Sequence, residues 1–367
     1  MGGRVTVFLC GDVMLGRGVD QILPCPGDPV VRESSVRDAR DYVTLAEAES
    51  GPIEPPVPFD WPWGDALPLM SAADARVINL ETSVTRGGDF APGKAVHYRM
   101  NPANMPCLAA ARPDVCVLAN NHVLDFGERG LRETLGSLAA AGLQAAGAGR
   151  DADEAARPAV VPLPGGRRLL VFALGMPSSG VPLSWAAGER RPGVNVLREP
   201  SRFAARALAE RVRQARGPGD LVVVSVHWGS NWGYGVPPEQ VEFARELIDG
   251  GVCVVHGHSS HHPRPAELYR DGLILYGCGD FVDDYEGIPG WERYRPELRL
   301  GYLVTVEAGS GRVVEAVAAP LRAERMRLRR VSAEDAGWMR TTLDRIGRDF
   351  GVRAEPRPDG LLALRER

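Results

Sequence analysis

Seven histidines occur in the chain: His97, His122, His227, His256, His258, His261 and His262. The last four fall within seven residues. The informative ones each follow an apolar, strand-like run. Val5–Cys10 leads into Gly11-Asp12, Ala75–Ile78 into Asn79-Leu80-Glu81, and Val115–Ala119 into Asn120-Asn121-His122. Leu221–Val226 leads into His227-Trp228-Gly229, and Val252–Val255 into His256-Gly257-His258-Ser259-Ser260-His261. In a mainly parallel α/β sheet the carboxyl ends of the strands line one crevice, so these five clusters are expected to converge. Carboxylate, amide and imidazole together form the donor set of a borderline divalent metal such as zinc, manganese or iron. Taken singly, Asp12 and Glu81 read as turn formers or helix caps, and His227 as a satisfied core histidine. The run from His256 differs, because four imidazoles so close are costly to bury unless something uses their lone pairs. His97 lies in an alternating run and His262 precedes a proline, so both keep an ordinary structural reading. Asp280, Asp283 and Asp284 read either as surface charges or as the rim of the same crevice.

The elements that must position these residues alternate between strand and helix. Short apolar runs at Val5–Cys10, Ala75–Asn79, Val115–Ala119, Leu169–Leu174, Leu221–His227, Val252–His256 and Leu273–Tyr276 predict strands. Pro102–Ala111, Gly127–Ala141, Ser201–Arg216 and Pro238–Asp249 predict helices, each with Pro, Gly or Ser near its start. That rhythm is α/β. Two segments break it, near residues 24–58 and 176–200, and read as insertion loops; the first carries one expected helix at Arg37–Glu49. Long loops in a compact domain are usually lids or binding loops. Two further β-like runs, Gly301–Glu307 and Arg312–Leu321, precede a helix expected at Ala333–Ile346 and a polar tail after Gly351 expected to be poorly ordered. This divides the chain into one metal-binding domain over residues 1–321 and a helical appendage over 322–367.

Composition narrows the partners. With 367 residues and 44% hydrophobic content the chain fills its own core, and a net charge of -4 offers no broad basic surface. A peptide or small-molecule substrate is expected, and no nucleic acid. No run approaches the roughly 18 apolar residues of a membrane span, so no anchor is expected and a cytoplasmic location follows. The six cysteines are scattered without a Cys-x-x-Cys pair and read as buried free thiols. Lys94 is the only lysine among 43 basic residues, a bias read as genomic base composition. Oligomeric state has no signature.

The motifs Gly11-Asp12-Val13-Met14-Leu15-Gly16-Arg17, Asn79-Leu80-Glu81, Ala119-Asn120-Asn121-His122, His227-Trp228-Gly229, Gly257-His258-Ser259-Ser260-His261 and Tyr276-Gly277-Cys278-Gly279-Asp280-Phe281 together resemble those of the CapA-like poly-γ-glutamate capsule-synthesis proteins, over about residues 4 to 308. That family shares the calcineurin-like metallophosphoesterase fold. The resemblance implies a four-layer α/β/β/α sandwich holding one or two divalent ions, with Mn, Zn, Fe, Mg and Ca all open. It implies that Asp12 ligates a first metal and that Glu81 takes the place of the bridging carboxylate. Asn121, His227 and His258 would hold the second metal, and His261 would reach the first. His122 matches the phosphoesterases' general acid, with Asp125 orienting it. Three departures mark this chain: Met14 stands where phosphoesterases place a histidine, Glu81 is a longer arm than aspartate, and the last two histidines are three apart.

Membership without an expected anchor suggests peptide biosynthesis in the cytosol. The sharpest form of this expectation is metal-assisted epimerisation at the α-carbon of a peptide residue, as in a lasso-peptide epimerase similar to this family. His122 and one of His256 or His261 would serve as the two acid/base groups, Arg17 would clamp a carboxylate, and Trp228 would line the substrate site. The alternatives are a metallophosphoesterase and an assembly factor for poly-γ-glutamate synthesis.

Overall fold

The strands expected around the candidate site form, and they divide between two sheets. The structure is a computed structural model and describes residues 3–367. In the larger sheet Arg4–Val13, Ala75–Leu80, Val115–Val117 and Gln144–Ala146 lie side by side in parallel. Leu298–Glu307 and Val313–Ala323 extend it antiparallel on the other flank. In the smaller sheet Gly272–Leu275, Val254–His258, Leu221–His227 and Arg167–Gly175 are parallel, with an antiparallel strand at each edge, Ala266–Tyr269 and Ala159–Leu163.

The pleat explains how the layers stack. Strand residues alternate faces, so Leu169, Val171, Ala173, Leu221 and Val223 join the core shared with the larger sheet. Their neighbours Leu170, Phe172, Leu174, Val222, Val224 and Val226 join a second core under two helices. Those helices, Arg202–Ala215 and Pro238–Asp249, supply Leu208, Val212, Phe243 and Leu247. The first shows why it forms there: Ser201 caps it by accepting from the Ala204 N–H, and Ala205, Leu208, Ala209 and Val212 make one buried stripe at helical spacing. Helices Met105–Ala110 and Gly127–Ala140 contribute Leu108, Leu131 and Leu138 to the core of the larger sheet. The result is the α/β/β/α sandwich expected from the motifs.

Two expectations need amendment. The first insertion does carry a helix, at Arg40–Ser50. The C-terminal segment, however, is not simply helical: besides Ala333–Ile346 it forms strands Leu328–Arg330, Val352–Pro356 and Leu362–Glu366. Leu328–Arg330 and Leu362–Glu366 pair onto Val313–Ala323, and Val352–Pro356 pairs onto Leu362–Glu366, so they continue the larger sheet. The tail expected to be poorly ordered folds because that strand would otherwise leave a bare edge of unpaired peptide groups, and Val352, Ala354, Leu362 and Leu364 alternate inward to cover it. All six cysteines are free thiols, and all but Cys25 are buried. Among the described residues no helix is long and apolar enough to cross a membrane.

Candidate metal centre

Asp12 reaches the crevice through a break in its own strand. Cys10 pairs with Ile78 and Asp12 with Asn79, so Gly11 is an extra residue bulged out of the ladder. No side chain fits there, since a Cβ on Gly11 would stand 1.7 Å from the Gly279 carbonyl oxygen. The bulge turns the Asp12 carboxylate into the space where the carboxyl ends of the two sheets meet.

Three side chains converge in that space. Ligand atoms of Asp12, His227 and His258, all buried, lie within 4.8 Å of one another. Glu81 adds a second carboxylate, its Oε2 3.8 Å from His227 Nδ1 and its Oε1 3.8 Å from His122 Nε2. Asn79 holds the two acids together, its amide donating to Asp12 Oδ1 at 2.8 Å and to Glu81 Oε2 at 2.9 Å. Asn79 is in turn held by Asn120, which donates to its Oδ1 and to the Leu80 carbonyl and accepts from the His122 and Val123 N–H groups.

Hydrogen bonds fix the imidazole tautomers. His256 Nε2 faces the Cys10 carbonyl oxygen at 2.9 Å and must donate to it, so the Nδ1 of this neutral ring accepts from Ser225 Oγ at 3.0 Å. The Ser225 oxygen then accepts from His258 Nε2 at 2.9 Å, which leaves a lone pair on His258 Nδ1. His227 donates from Nε2 to Asn121 Oδ1 at 3.0 Å, which leaves a lone pair on its Nδ1 as well. These two Nδ1 atoms stand 2.8 Å apart. Two facing lone pairs repel; Asp12 Oδ1 stands 3.9 Å from His258 Nδ1, and the Oδ2 of the same carboxylate is buried without any hydrogen-bond partner. A cation coordinated by the two ring nitrogens and this carboxylate removes both penalties.

The electrostatics agree. Burial, then the neighbouring Asp280 charge, pushes Asp12 up to about 7, and burial with the Asp12 charge raises Glu81 well above the usual carboxylate range. Burial holds His227 and His258 far below the ordinary imidazole value, in the neutral form a metal requires. The donor set therefore fits a divalent ion at Asp12, His227 and His258, with Glu81 adjacent.

His122 lies at the edge of this centre. Its Nδ1 is 2.6 Å from Asp125 Oδ2, and burial lowers it to about 4, so it is neutral with Nδ1–H donated to Asp125 and Nε2 bare toward Glu81. Lys94 completes the group, donating to Asp125 Oδ1 and to the Asn121 carbonyl.

Other expected site residues stand further back. Asn121 stands behind His227, its Oδ1 3.0 Å from His227 Nε2. His261 is engaged by Asp280 at 3.0 Å, which raises its basicity, and by Asn231 on the other ring nitrogen. His256 is sealed between the sheets, hydrogen-bonded to Ser225 and the Cys10 carbonyl, with its ring packed 5.2 Å from that of His258. Trp228 turns to the helix-covered face, where its indole donates to the Tyr276 carbonyl and packs on Phe243. Arg17 does not offer a free fork, because Asp284 takes it in bidentate fashion and Glu33 and Tyr42 occupy a third nitrogen. Asp280, Asp283 and Asp284 are all buried, so the surface-charge alternative for them does not hold. Asn79 and Asn120, though inside the motifs, and Ser225 and Lys94 outside them were given no role in the site by the sequence.

Fold and site define an α/β/β/α sandwich protein with a candidate metal centre where the ends of its two sheets meet. The family is shown by comparison: residues 6–285 match the family described as bacterial capsule synthesis protein PGA_cap, and the chain belongs to it. It is 55% identical over 363 residues, 98% of this chain and 96% of the relative, to a probable polyglutamine synthesis accessory protein of Mycobacterium tuberculosis. It is 28% identical over 276 residues, 73% of this chain and 69% of the relative, to the PGA biosynthesis protein CapA of Bacillus subtilis. Among solved structures, a phosphatase of Mycoplasma pneumoniae is similar with a TM-score of 0.47 and 14% identity, covering 88% of this chain and 95% of that one.

Proposed function

We propose that the protein is a divalent-metal-dependent accessory enzyme of polyglutamyl-polymer synthesis, acting in the cytoplasm, and that its centre hydrolyses an amide bond of a glutamyl or glutaminyl chain. The reading of a metal enzyme is carried by the two facing Nδ1 lone pairs of His227 and His258, with the Asp12 carboxylate 3.9 Å from the second of them. The polymer is suggested by the printed names of the relatives.

A divalent ion supplies Lewis acidity toward a carbonyl oxygen and lowers the pKa of water. The chain's own groups do the rest. Asn79 and Asn120 keep Asp12 and Glu81 at fixed positions, so no reorganisation is needed when charge develops. His122 takes a proton at Nε2 and returns it to the departing amine, while Asp125 stabilises the imidazolium formed in between. Lys94 keeps Asp125 ionised for that purpose. Epimerisation is the weaker reading, because it requires proton-transfer groups on two faces of one carbon, and of the two partners considered for His122, His256 is sealed away from the crevice and both ring nitrogens of His261 are engaged, by Asp280 and Asn231.

The test is to incubate metal-loaded protein with γ-linked and α-linked glutamyl and glutaminyl oligomers in D₂O and follow products by mass spectrometry. Metal-dependent chain shortening, lost in His122→Ala by roughly 100-fold or more, is expected. Deuterium uptake at one α-carbon without shortening, or turnover of p-nitrophenyl phosphate alone, would replace amide hydrolysis with epimerisation or phosphoester hydrolysis.

A further inference from the structure

The ligand side chains Asp12, His227 and His258 are at most 1% exposed, so an ion reaches or leaves them only when a covering segment moves. Three segments border the centre, and they are held unequally. Residues 91–98 are pinned by Asp125, which accepts from the Ala91 and Tyr98 N–H groups. Residues 176–180 are pinned by the His227 carbonyl, which accepts from the Met176 N–H and from Ser179 Oγ. The third segment runs from Glu286, which accepts from Ser50 and the Met326 N–H, to Tyr294, stacked on His262 at 4.4 Å. Between these points, among the described residues, 287–293 hydrogen-bond only with one another and with Tyr294 and Arg295. Gly287 and Gly290 take φ of 127° and 86°, and a Cβ on either meets nothing within 4 Å.

A ring contact ties this lightly held stretch to the surroundings of the centre. The Trp291 ring lies flat on Trp232, with centroids 4.5 Å and planes 1° apart, and Trp232 stands 5.4 Å from the ring of His261. Tyr285 meets the same His261 ring edge-on at 6.3 Å, and His261 is bonded to Asp280, the strand neighbour of Asp12. A cleft of about 500 Å³ between the helix Arg40–Ser50 and residues 284–289 is lined in part by this histidine. We infer that residues 287–293 form a strap that gates passage to the metal centre, with Gly287 and Gly290 as hinges and the Trp232–Trp291 stack as its latch. The inference rests on the ion held by Asp12, His227 and His258, and not on the reaction performed there.

A gate alters the rate of passage equally in both directions and leaves affinity unchanged. The test follows release of Zn²⁺ from the loaded full chain to excess chromogenic chelator, beside uptake of Zn²⁺ by the metal-free chain. In Trp291→Ala and in Trp232→Ala both rates are expected to rise roughly three- to tenfold at constant Kd, the range an aromatic stack contributes, and the double variant to go no faster than either. Hydrogen–deuterium exchange of residues 287–293 should quicken in Trp232→Ala, whose substitution lies outside the strap. Unchanged rates, or faster release with weaker affinity and unaltered uptake, overturn the inference. If the chain takes up no ion, the metal reading fails separately and the exchange result decides: faster exchange upholds the latch, and unchanged exchange overturns it.

Discussion

Ser225 is the residue on which the tautomers of the centre depend. One hydroxyl accepts from His258 and donates to His256, and this relay is what bares His258 Nδ1. Outer partners of metal-ligating histidines typically matter by 10- to 100-fold in affinity. Ser225→Ala should therefore weaken Mn²⁺ or Zn²⁺ binding by about that factor and cost about 1–3 kcal/mol in urea unfolding, since two buried ring nitrogens lose their partner. A variant that binds metal as well as the parent would show that the relay does not set the tautomer. The signal was present in the sequence: Ser225 is the one hydroxyl within the apolar run Leu221–Val226, two residues before His227 and so on the same face of the strand. Lys94 carried a signal too, as the only lysine of the chain, and base composition accounts for its rarity but not for its place beside His122 and Asp125. Arg17 and Trp228 misled for one reason. Residue type states what a side chain can bind, whereas Asp284 and Phe243, distant in sequence, determine what it does bind.

Among the elements, the bulge at Gly11 links backbone to chemistry. A methyl group at this position overlaps the Gly279 carbonyl, so the strand Arg4–Val13 must shift relative to Asp280–Val282. Gly11→Ala is expected to lower the unfolding free energy by about 1–3 kcal/mol or more, and also to weaken metal binding although no ligand changes. Denaturant titration beside metal titration separates the two effects, and a variant with unaltered stability would contradict the geometry. The parallel strands were legible because fully buried strands read as continuous Val, Leu and Ile runs. The edge strands Ala159–Leu163 and Val352–Pro356 were not, since part of each faces solvent and its partner is supplied by the rest of the fold. The bulge itself was invisible, because Gly-Asp after a strand reads equally well as a turn.

For the whole molecule, carboxylates anchored far from the centre contribute to acid stability. Asp220 is lowered by its bonds to Arg168 and the Gly217 N–H, and Asp335 by Arg295 and its Ser332 cap, although burial opposes both. Each binds its proton more weakly in the folded chain than in the unfolded one. Their stabilisation is therefore present above the ordinary value of 3.8 and is lost as pH falls through and below it. The stability difference between the parent and Asp220→Asn should shrink between about pH 6 and about pH 3, followed by denaturant unfolding; a constant difference would show that the charge of Asp220 contributes nothing. At this scale the α/β class was legible from the order of strands and helices and the sandwich only through the resemblance of the motifs, while the cleft between the helix Arg40–Ser50 and residues 284–289 was legible from neither, because its walls come from segments distant in sequence.

The central claim is that Asp12, His227 and His258 hold a divalent ion. Elemental analysis of the purified, dialysed full chain, set beside Asp12→Asn and His227→Ala, tests it most directly. The account predicts about one tightly held equivalent per chain, lost in both variants while each remains folded by circular dichroism. Metal content that stays at zero after loading with manganese, zinc and iron in turn, or that is unchanged in both variants, would contradict it.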